Sequence, residues 1–466
     1  MRIPRLMIAG THSGVGKTTI TTAVLSLFTK AGLNVQPYKV GPDYIDPSYH
    51  SAATGNKCRN LDSWILKEEA VRQFFINSAT RADIAVIEGV MGVFDGSSGN
   101  TDTGSSAHIA KLLGCPVVLI VDVKSMARSA AAVVLGFKNF DPGLKVAGVI
   151  LNRVGSQRHL GLVTEAIETY CDVPVLGYIK KNARLELPSR HLGLVPAVEG
   201  GSLLETVSGL SEEIRQGIDI AGLIKAAESA GELDFGDRAE LMPDAGSQET
   251  VRIGIAMDEA FSFYYEDGLE IFRMKGAELI PFSPIHDDNL PPDLHGIYIG
   301  GGFPEMFIQE LSVNNKLKEA IKDAGSSGVP VFGECGGFMY LSDFISDFEG
   351  ENHPMVGLIP GRCIMEKKLV GMGYVTARCM TENIIAPAES RIRGHEFHYS
   401  RFEPNKPAKD FPYAFELTRN RSGNIVFDGY ALGNILGSYL HIHFGSDIGL
   451  ADSFIEKCRE FKLSQA

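Results

Sequence analysis

The chain has 466 residues, 44% of them hydrophobic and 22% charged, which is more than one core ordinarily organises and points to two domains of a globular protein. Its 57 acidic against 44 basic side chains leave a formal charge of −13, which excludes nonspecific binding to nucleic acid or an anionic membrane surface, so an anionic substrate has to be met by a local cluster of cations. Seven scattered cysteines, none spaced C-x-x-C, indicate neither a disulfide framework nor a thiolate zinc site and fit a reducing cytoplasm.

In chain order, RLMIAG (5–10), IAVIEG (84–89), PVVLIVD (116–122) and VAGVILN (146–152) are short apolar runs separated by helical patterns, and read as buried strands of a parallel α/β sheet. Residues 17–31 place Ile20, Ala23, Val24, Leu27, Phe28 and Ala31 at helical spacing, with Gly32 as the stop. No leader pattern opens the chain, and the run PVVLIV is far too short to span a bilayer. Residues 228–250 are rich in glycine and acids without an apolar period, as a linker is. VRIGIAM (251–257) restarts the alternation, followed by GIYIGGG (296–302), GVPVFGECGG (328–337) and NILGSYLHIHF (434–444). The expected organisation is an ATP-binding domain over 1–230, a linker over 231–250, a second α/β domain over 251–448 and a C-terminal helix or tail over 449–466.

Between the first strand and first helix lies GTHSGVGKTT (10–19). The G-x-x-x-x-G-K-[ST] phosphate loop would put glycine at position 11, where this chain has Thr11, with Gly10 one residue earlier. In a strand–loop–helix setting the backbone N–H groups of such a loop hold phosphate oxygens, Lys17 reaches the outer phosphates and the Thr18 hydroxyl ligates Mg²⁺. Glu88 ends its strand where a second acid for the metal belongs. KVGPDYIDPSYH (39–50) adds Lys39, Asp43 and Asp46 as metal or substrate groups, because carboxylates beside a triphosphate site are costly without such a role.

The run VFGECGGFMYL (331–341) reads as strand, sharp glycine turn and helix start, which exposes the Cys335 sulfur at a nucleophile elbow. Gly336 and the glycines of GGGF (300–303), Gly301 and Gly302, are the expected oxyanion donors. The base is His441 in SYLHIHF, with His443 on the same strand face. His395 and His398 of RGHEFHYS (393–400) match no zinc spacing and read as a polar cluster near this site, with Glu396 orienting a histidine.

These motifs carry resemblances. G-T-x-x-x-x-G-K-T resembles the dethiobiotin synthetase-like ATPases; the related partitioning ATPases carry a signature lysine where this chain has His12. The C-terminal half resembles a class I glutamine amidotransferase, whose F-H-P-E ending is here L-H-I-H, with His443 in place of the glutamate. That leaves the third member of the amidase site open. The motifs PDYIDPSYH, EGVMGVFDG, LNRV, SRHLGLV, GGGFPE, GECGG and GHEFHYS complete a match along nearly the whole chain, and together they resemble the cobyrinate a,c-diamide synthase family. The resemblance implies a fold of a P-loop parallel-sheet domain followed by an amidotransferase-like α/β domain. It implies ATP-dependent amidation of two side-chain carboxylates of a tetrapyrrole polycarboxylate, with glutamine as nitrogen donor and acyl phosphates as intermediates.

On the same resemblance, ATP and Mg²⁺ fall to Thr11, Ser13, Gly14, Gly16, Lys17, Thr18 and Glu88, with Asn152 a candidate for adenine recognition. Lys39, Asp43, Tyr44, Ile45, Asp46 and Asp95 lie near the macrocycle. Arg184, Arg190 and His191 join them because a polycarboxylate needs cationic partners in an acidic protein. A homodimer is one assembly this reading allows. Two alternatives stand beside it: the a,c-diamide synthase acting on nickel-sirohydrochlorin for coenzyme F430, and a regulatory ATPase with an inactive amidase half.

Overall fold

The strand Arg5–Gly10, β1, is buried along all six residues and leads through residues 11–16 into α1, Lys17–Lys30. The computed structural model describes residues 2–181, 189–190, 193–194, 203–233 and 249–465. Within it the chain divides into two units, Met1–Ala239 and Glu240–Ala466.

In the first unit β1 and α1 are followed by β2 (Val35–Val40), α2 (Ile45–Thr54), β3 (Arg59–Leu61), α3 (Glu68–Ala79) and β4 (Ile84–Gly92). Next come α4 (Ser106–Leu112), β5 (Val117–Asp122), α5 (Ser129–Phe140), β6 (Val146–Val154), α6 (Gln157–Cys171) and β7 (Val175–Lys180). The strands form one sheet in the order β3-β2-β4-β1-β5-β6-β7, every neighbouring pair parallel. Parallel strands covered on both faces must be apolar throughout, which is why these runs were continuous rather than alternating. Helices α7 (Leu203–Ile214) and α8 (Ile220–Glu228) close one face, where Val207, Leu210 and Leu223 share a core with Val24 and Phe28 of α1. With β1 central and β2 reached across β4, the carboxyl ends of β1, β2 and β6 carry the loop 11–16, Lys39 and Asn152. Glu88 does not end its strand as its sequence suggests: β4 runs on to Gly92, and Glu88 sits mid-strand in register with Ile8 and Lys39.

The second unit carries a six-stranded sheet in the order Ala277–Phe282, Val251–Ala256, Gly296–Ile299, Val331–Glu334, Ile435–Ser438 and Tyr430–Leu432, parallel except for its last pair. The helix Ile448–Ser464 packs here through the fully buried Phe454 and Cys458. A five-stranded antiparallel sheet includes Gly371–Cys379 and Arg391–His398. The run 434–444 is not the single strand its sequence suggests. It leaves the six-stranded sheet after Ser438, and His441–Ile442 pairs instead with Gly394 and His395. The buried Asp428 carboxylate accepts from the Ser438 hydroxyl and from the Tyr439 N–H at 3.1 Å, fixing the turn between the two segments. His443 therefore lies beyond the strand and caps the following turn, its Nδ1 accepting from the Gly445 N–H at 3.0 Å. Among the described residues no helix is long and apolar enough to cross a membrane.

Candidate functional site

In the first unit, Gly14 and Gly16 of the loop take φ of 78° and 97°, a left-handed region that glycine adopts without steric cost. A Cβ on Gly16 would also stand 2.8 Å from Asn152 Nδ2. That amide donates to the Val15 carbonyl at 2.8 Å, so Asn152 braces the loop from the end of β6. Ser13 and Gly14 are exposed at the loop crest, while Lys17 is buried and folds back to donate to the His12 carbonyl at 3.1 Å. Burial lowers the Lys17 pKa, against the pull of Glu88. Thr11 donates its N–H to the Ile120 carbonyl at 3.3 Å. Asp95 accepts from the Gly92 N–H at 3.0 Å, and a Cβ on Gly92 would meet both Asp95 and the Thr11 carbonyl, which puts Asp95 beside the loop.

Beneath the loop lies a charged cluster. The Thr18 hydroxyl is 3.1 Å from Asp46 Oδ2 and 3.0 Å from Glu88 Oε1, and Lys39 Nζ reaches the same two carboxylates at 2.5 and 2.8 Å. Asp43 is 4.0 Å from Lys39 and uses its other oxygen to accept from the N–H groups of Ile45 and Asp46, which caps α2 just after Tyr44. Ile45 packs against the core. Sequence reasoning missed His50, whose Nε2 meets Glu88 Oε2 while its Nδ1 pairs with the Thr22 hydroxyl at 3.1 Å. Burial opposes the charge on Lys39, yet Asp46 and Glu88 outweigh it and raise its pKa. Burial and the like charge of Asp43 push Asp46 up to about 8, whereas Glu88, also buried, is drawn down to about 2 by Lys39 and His50.

The donor set at this cluster fits Mg²⁺, a hard cation that takes a hydroxyl and one or two carboxylates and completes its shell with phosphate oxygens and water. Thr18 carries a hydroxyl and Glu88 a carboxylate of this kind, 3.0 Å apart. Arg184 and His191 lie outside the described residues, and Arg190 belongs to the short strand Ser189–Arg190.

In the second unit, Cys335 stands between the strand Val331–Glu334 and the helical turn Gly336–Leu341 with φ 50° and ψ −101°. A non-glycine residue held at positive φ is the strain of a nucleophile elbow. The turn is possible because Gly337 carries no side chain: a Cβ there would meet the Ile299 carbonyl oxygen at 2.0 Å. Gly336 lies against Gly302, whose N is 3.0 Å from the position of a Gly336 Cβ, and Gly301 lies against the His441 ring at 2.7 Å by the same measure.

His441 lies beside Cys335, whose Sγ is 3.9 Å from the Phe397 carbonyl, and its Nδ1 is 3.0 Å from Glu334 Oε1. Burial disfavours its charge, but Cys335 and Glu334 overcome this and raise its pKa to about 10. His395 stacks on His441 with centroids 4.7 Å apart, and burial beside that ring holds its own pKa well below the usual histidine value. His398 and Arg419 both reach Glu396, at 3.4 and 3.0 Å. Glu396 thus pairs with His398, while the carboxylate at His441 is Glu334. Among the described residues no group of three or more His, Cys, Asp or Glu side chains is placed to hold a metal ion.

Residues 6–195 match the family of CobQ/CobB/MinD/ParA nucleotide binding domains, and residues 252–448 match the CobB/CobQ-like glutamine amidotransferase domain. The chain is 44% identical over 463 residues to a cobyrinate a,c-diamide synthase of Dehalococcoides mccartyi strain CBDB1, covering 99% of both chains. It is 42% identical over 458 residues to one from Priestia megaterium, covering 98% of both. Against one from Methanosarcina acetivorans it is 40% identical over 486 positions, covering 100% of this chain and 97% of the relative. With both halves matched and the likeness running end to end, the chain belongs to the cobyrinate a,c-diamide synthase family.

Proposed function

We propose that this chain amidates the a and c side-chain carboxylates of cobyrinate, using ATP to activate each carboxylate and glutamine as the nitrogen source. The observation that carries the reading is the presence in one chain of a phosphate loop over Lys17 and Thr18 and of Cys335 at a strained elbow against His441. The substrate follows the names of relatives alike over the full length.

The chemistry divides between the units. In the second, Cys335 Sγ, its proton already held by His441, attacks the glutamine carboxamide carbon, and the N–H groups of Gly302 and Gly336 face the developing oxyanion. His441 then returns the proton to the departing nitrogen, which leaves as NH₃, and water hydrolyses the γ-glutamyl thioester to glutamate. In the first unit the loop Ser13–Gly16 and Lys17 would hold the triphosphate, and Thr18 and Glu88 would hold Mg²⁺, which when bound neutralises phosphate charge. A substrate carboxylate oxygen takes the γ-phosphoryl group with release of ADP, and NH₃ displaces orthophosphate from the acyl phosphate to give the amide. Lys39, Asp46 and Asp95 are the side chains proposed to face the macrocycle's carboxylates, with Asn152 at the adenine end of the loop.

The test is incubation with ATP, glutamine and either cobyrinate or nickel-sirohydrochlorin, read by mass spectrometry. Two amides on cobyrinate are expected. Amidation of the nickel scaffold alone would transfer the reading to that substrate, and no amide on either would refute it. Cys335→Ala is expected to lose the glutamine-supported reaction and keep the ammonium-supported one; a native chain without glutaminase activity would instead favour a regulatory ATPase.

A further inference from the structure

An imidazole that contacts only a thiol can rotate and can take either tautomer, so a cysteine–histidine pair needs something to aim it. In related chemistry an acid follows the histidine; here that position holds His443, whose Nδ1 is engaged by the Gly445 N–H and whose ring stacks on Tyr265 at 4.6 Å. Glu334 stands on the other side. It ends the strand Val331–Glu334 opposite Ser438, and its side chain is 1% exposed.

Both of its carboxylate oxygens are engaged. Oε1 is 3.0 Å from His441 Nδ1, and Oε2 accepts from the Tyr298 hydroxyl at 3.2 Å and from the Ile442 N–H at 3.4 Å. Tyr298 is itself fixed by stacking on Phe332 and by an edge contact with Tyr264. Among the described residues, the ionisable groups found against His441 are Cys335, Glu334 and the stacked His395, with Tyr298 behind Glu334 and Tyr265 behind His395.

We propose that Glu334, the residue immediately before the nucleophile, is the positioning carboxylate of the amidase site and takes the place of an acid after the histidine. The inference rests on the amidase reading above. Glu334 accepts from His441 Nδ1–H, which leaves Nε2 toward Cys335. With the thiol proton on Nε2 the carboxylate stabilises the imidazolium without taking up a proton, and the proton goes on to the leaving nitrogen. The positive φ of Cys335 is what lets two consecutive residues converge on one ring, since regular strand residues point to opposite faces.

Glu334→Gln retains shape and hydrogen-bonding capacity but removes the charge. Its kcat for glutamine hydrolysis is expected to fall by about 10²–10⁴-fold, with KM changed less than about threefold. Alkylation of Cys335 by iodoacetamide, followed on its peptide by mass spectrometry, should show its pH inflection move up by about one unit or more toward that of a free thiol, because the imidazolium no longer supports the thiolate. Glu334→Asp should recover part of both effects. A Gln variant within about threefold of the native rate and with an unmoved inflection overturns the role of Glu334 alone. A native chain that hydrolyses no glutamine overturns the amidase reading itself. If Glu334→Gln does not fold, proton NMR of the native protein decides: a far-downfield imidazole N–H resonance that disappears in His441→Asn is expected, and its absence from the native spectrum overturns the proposal.

Discussion

Lys39→Met replaces a side chain only 3% exposed with an uncharged one of similar length. The ammonium now lies 2.5 Å from Asp46 and 2.8 Å from Glu88, and Glu88 is completely buried. Without it, two carboxylates that share the Thr18 hydroxyl face each other, with His50 the nearest remaining partner. Removing one member of a buried ionic cluster costs about 3–5 kcal/mol, because the charge left behind has no water to return to. The single tryptophan of the chain, Trp64, is buried in the same unit, so its fluorescence in urea reports on that unit. With a denaturant slope of about 3 kcal/mol/M, the midpoint should fall by about 1–1.7 M. Amidation should be lost with either nitrogen donor while glutamine hydrolysis continues. A midpoint within about 0.3 M of the native value would refute the argument that Lys39 holds this cluster together.

Gly301→Ala places a methyl 2.7 Å from the His441 ring and 3.2 Å from the Phe263 Cβ, so the imidazole must shift; glutamine hydrolysis should fall by about 10–100-fold, and an unaltered rate would contradict the placement of His441. His443 is buried and uncharged, its pKa pushed down by burial to about 3 from 6.5. As pH falls the unfolded chain takes up this proton first, so stability present above about pH 6.5 declines toward pH 3. Between pH 7 and 5 that one proton contributes about 2 kcal/mol of loss. His443→Asn, which can still cap the turn, should show a shallower decline in calorimetry over that interval, and an equal decline would show that His443 does not carry it.

The sheet of the first unit was legible because strands buried on both faces are continuous apolar runs, and the run 5–10 forms β1 with the bounds its sequence suggests. The elbow was legible because a buried apolar strand runs straight into Gly336 and Gly337, which let the backbone turn where a side chain on Gly337 would collide with the Ile299 carbonyl. The break after Ser438 was not legible, because it is set by Asp428 from outside the run, and an apolar pattern records no such contact. His50 lies inside a motif that drew notice, yet its partner Glu88 is 38 residues away. Glu334 bore a readable signal: it is an acid ending a buried strand, the feature that singled out Glu88. Only the geometry shows that the carboxylate at His441 Nδ1 comes from the strand that ends just before Cys335.

The central claim is that one unit primes a carboxylate by phosphorylating it while the other frees the nitrogen that replaces the phosphate. Cobyrinate labelled with ¹⁸O in its carboxyl groups tests this most directly. Each amide formed is expected to deliver one ¹⁸O from the carboxyl group into the released orthophosphate, whether glutamine or ammonium supplies the nitrogen. Amide formation with unlabelled orthophosphate would contradict it.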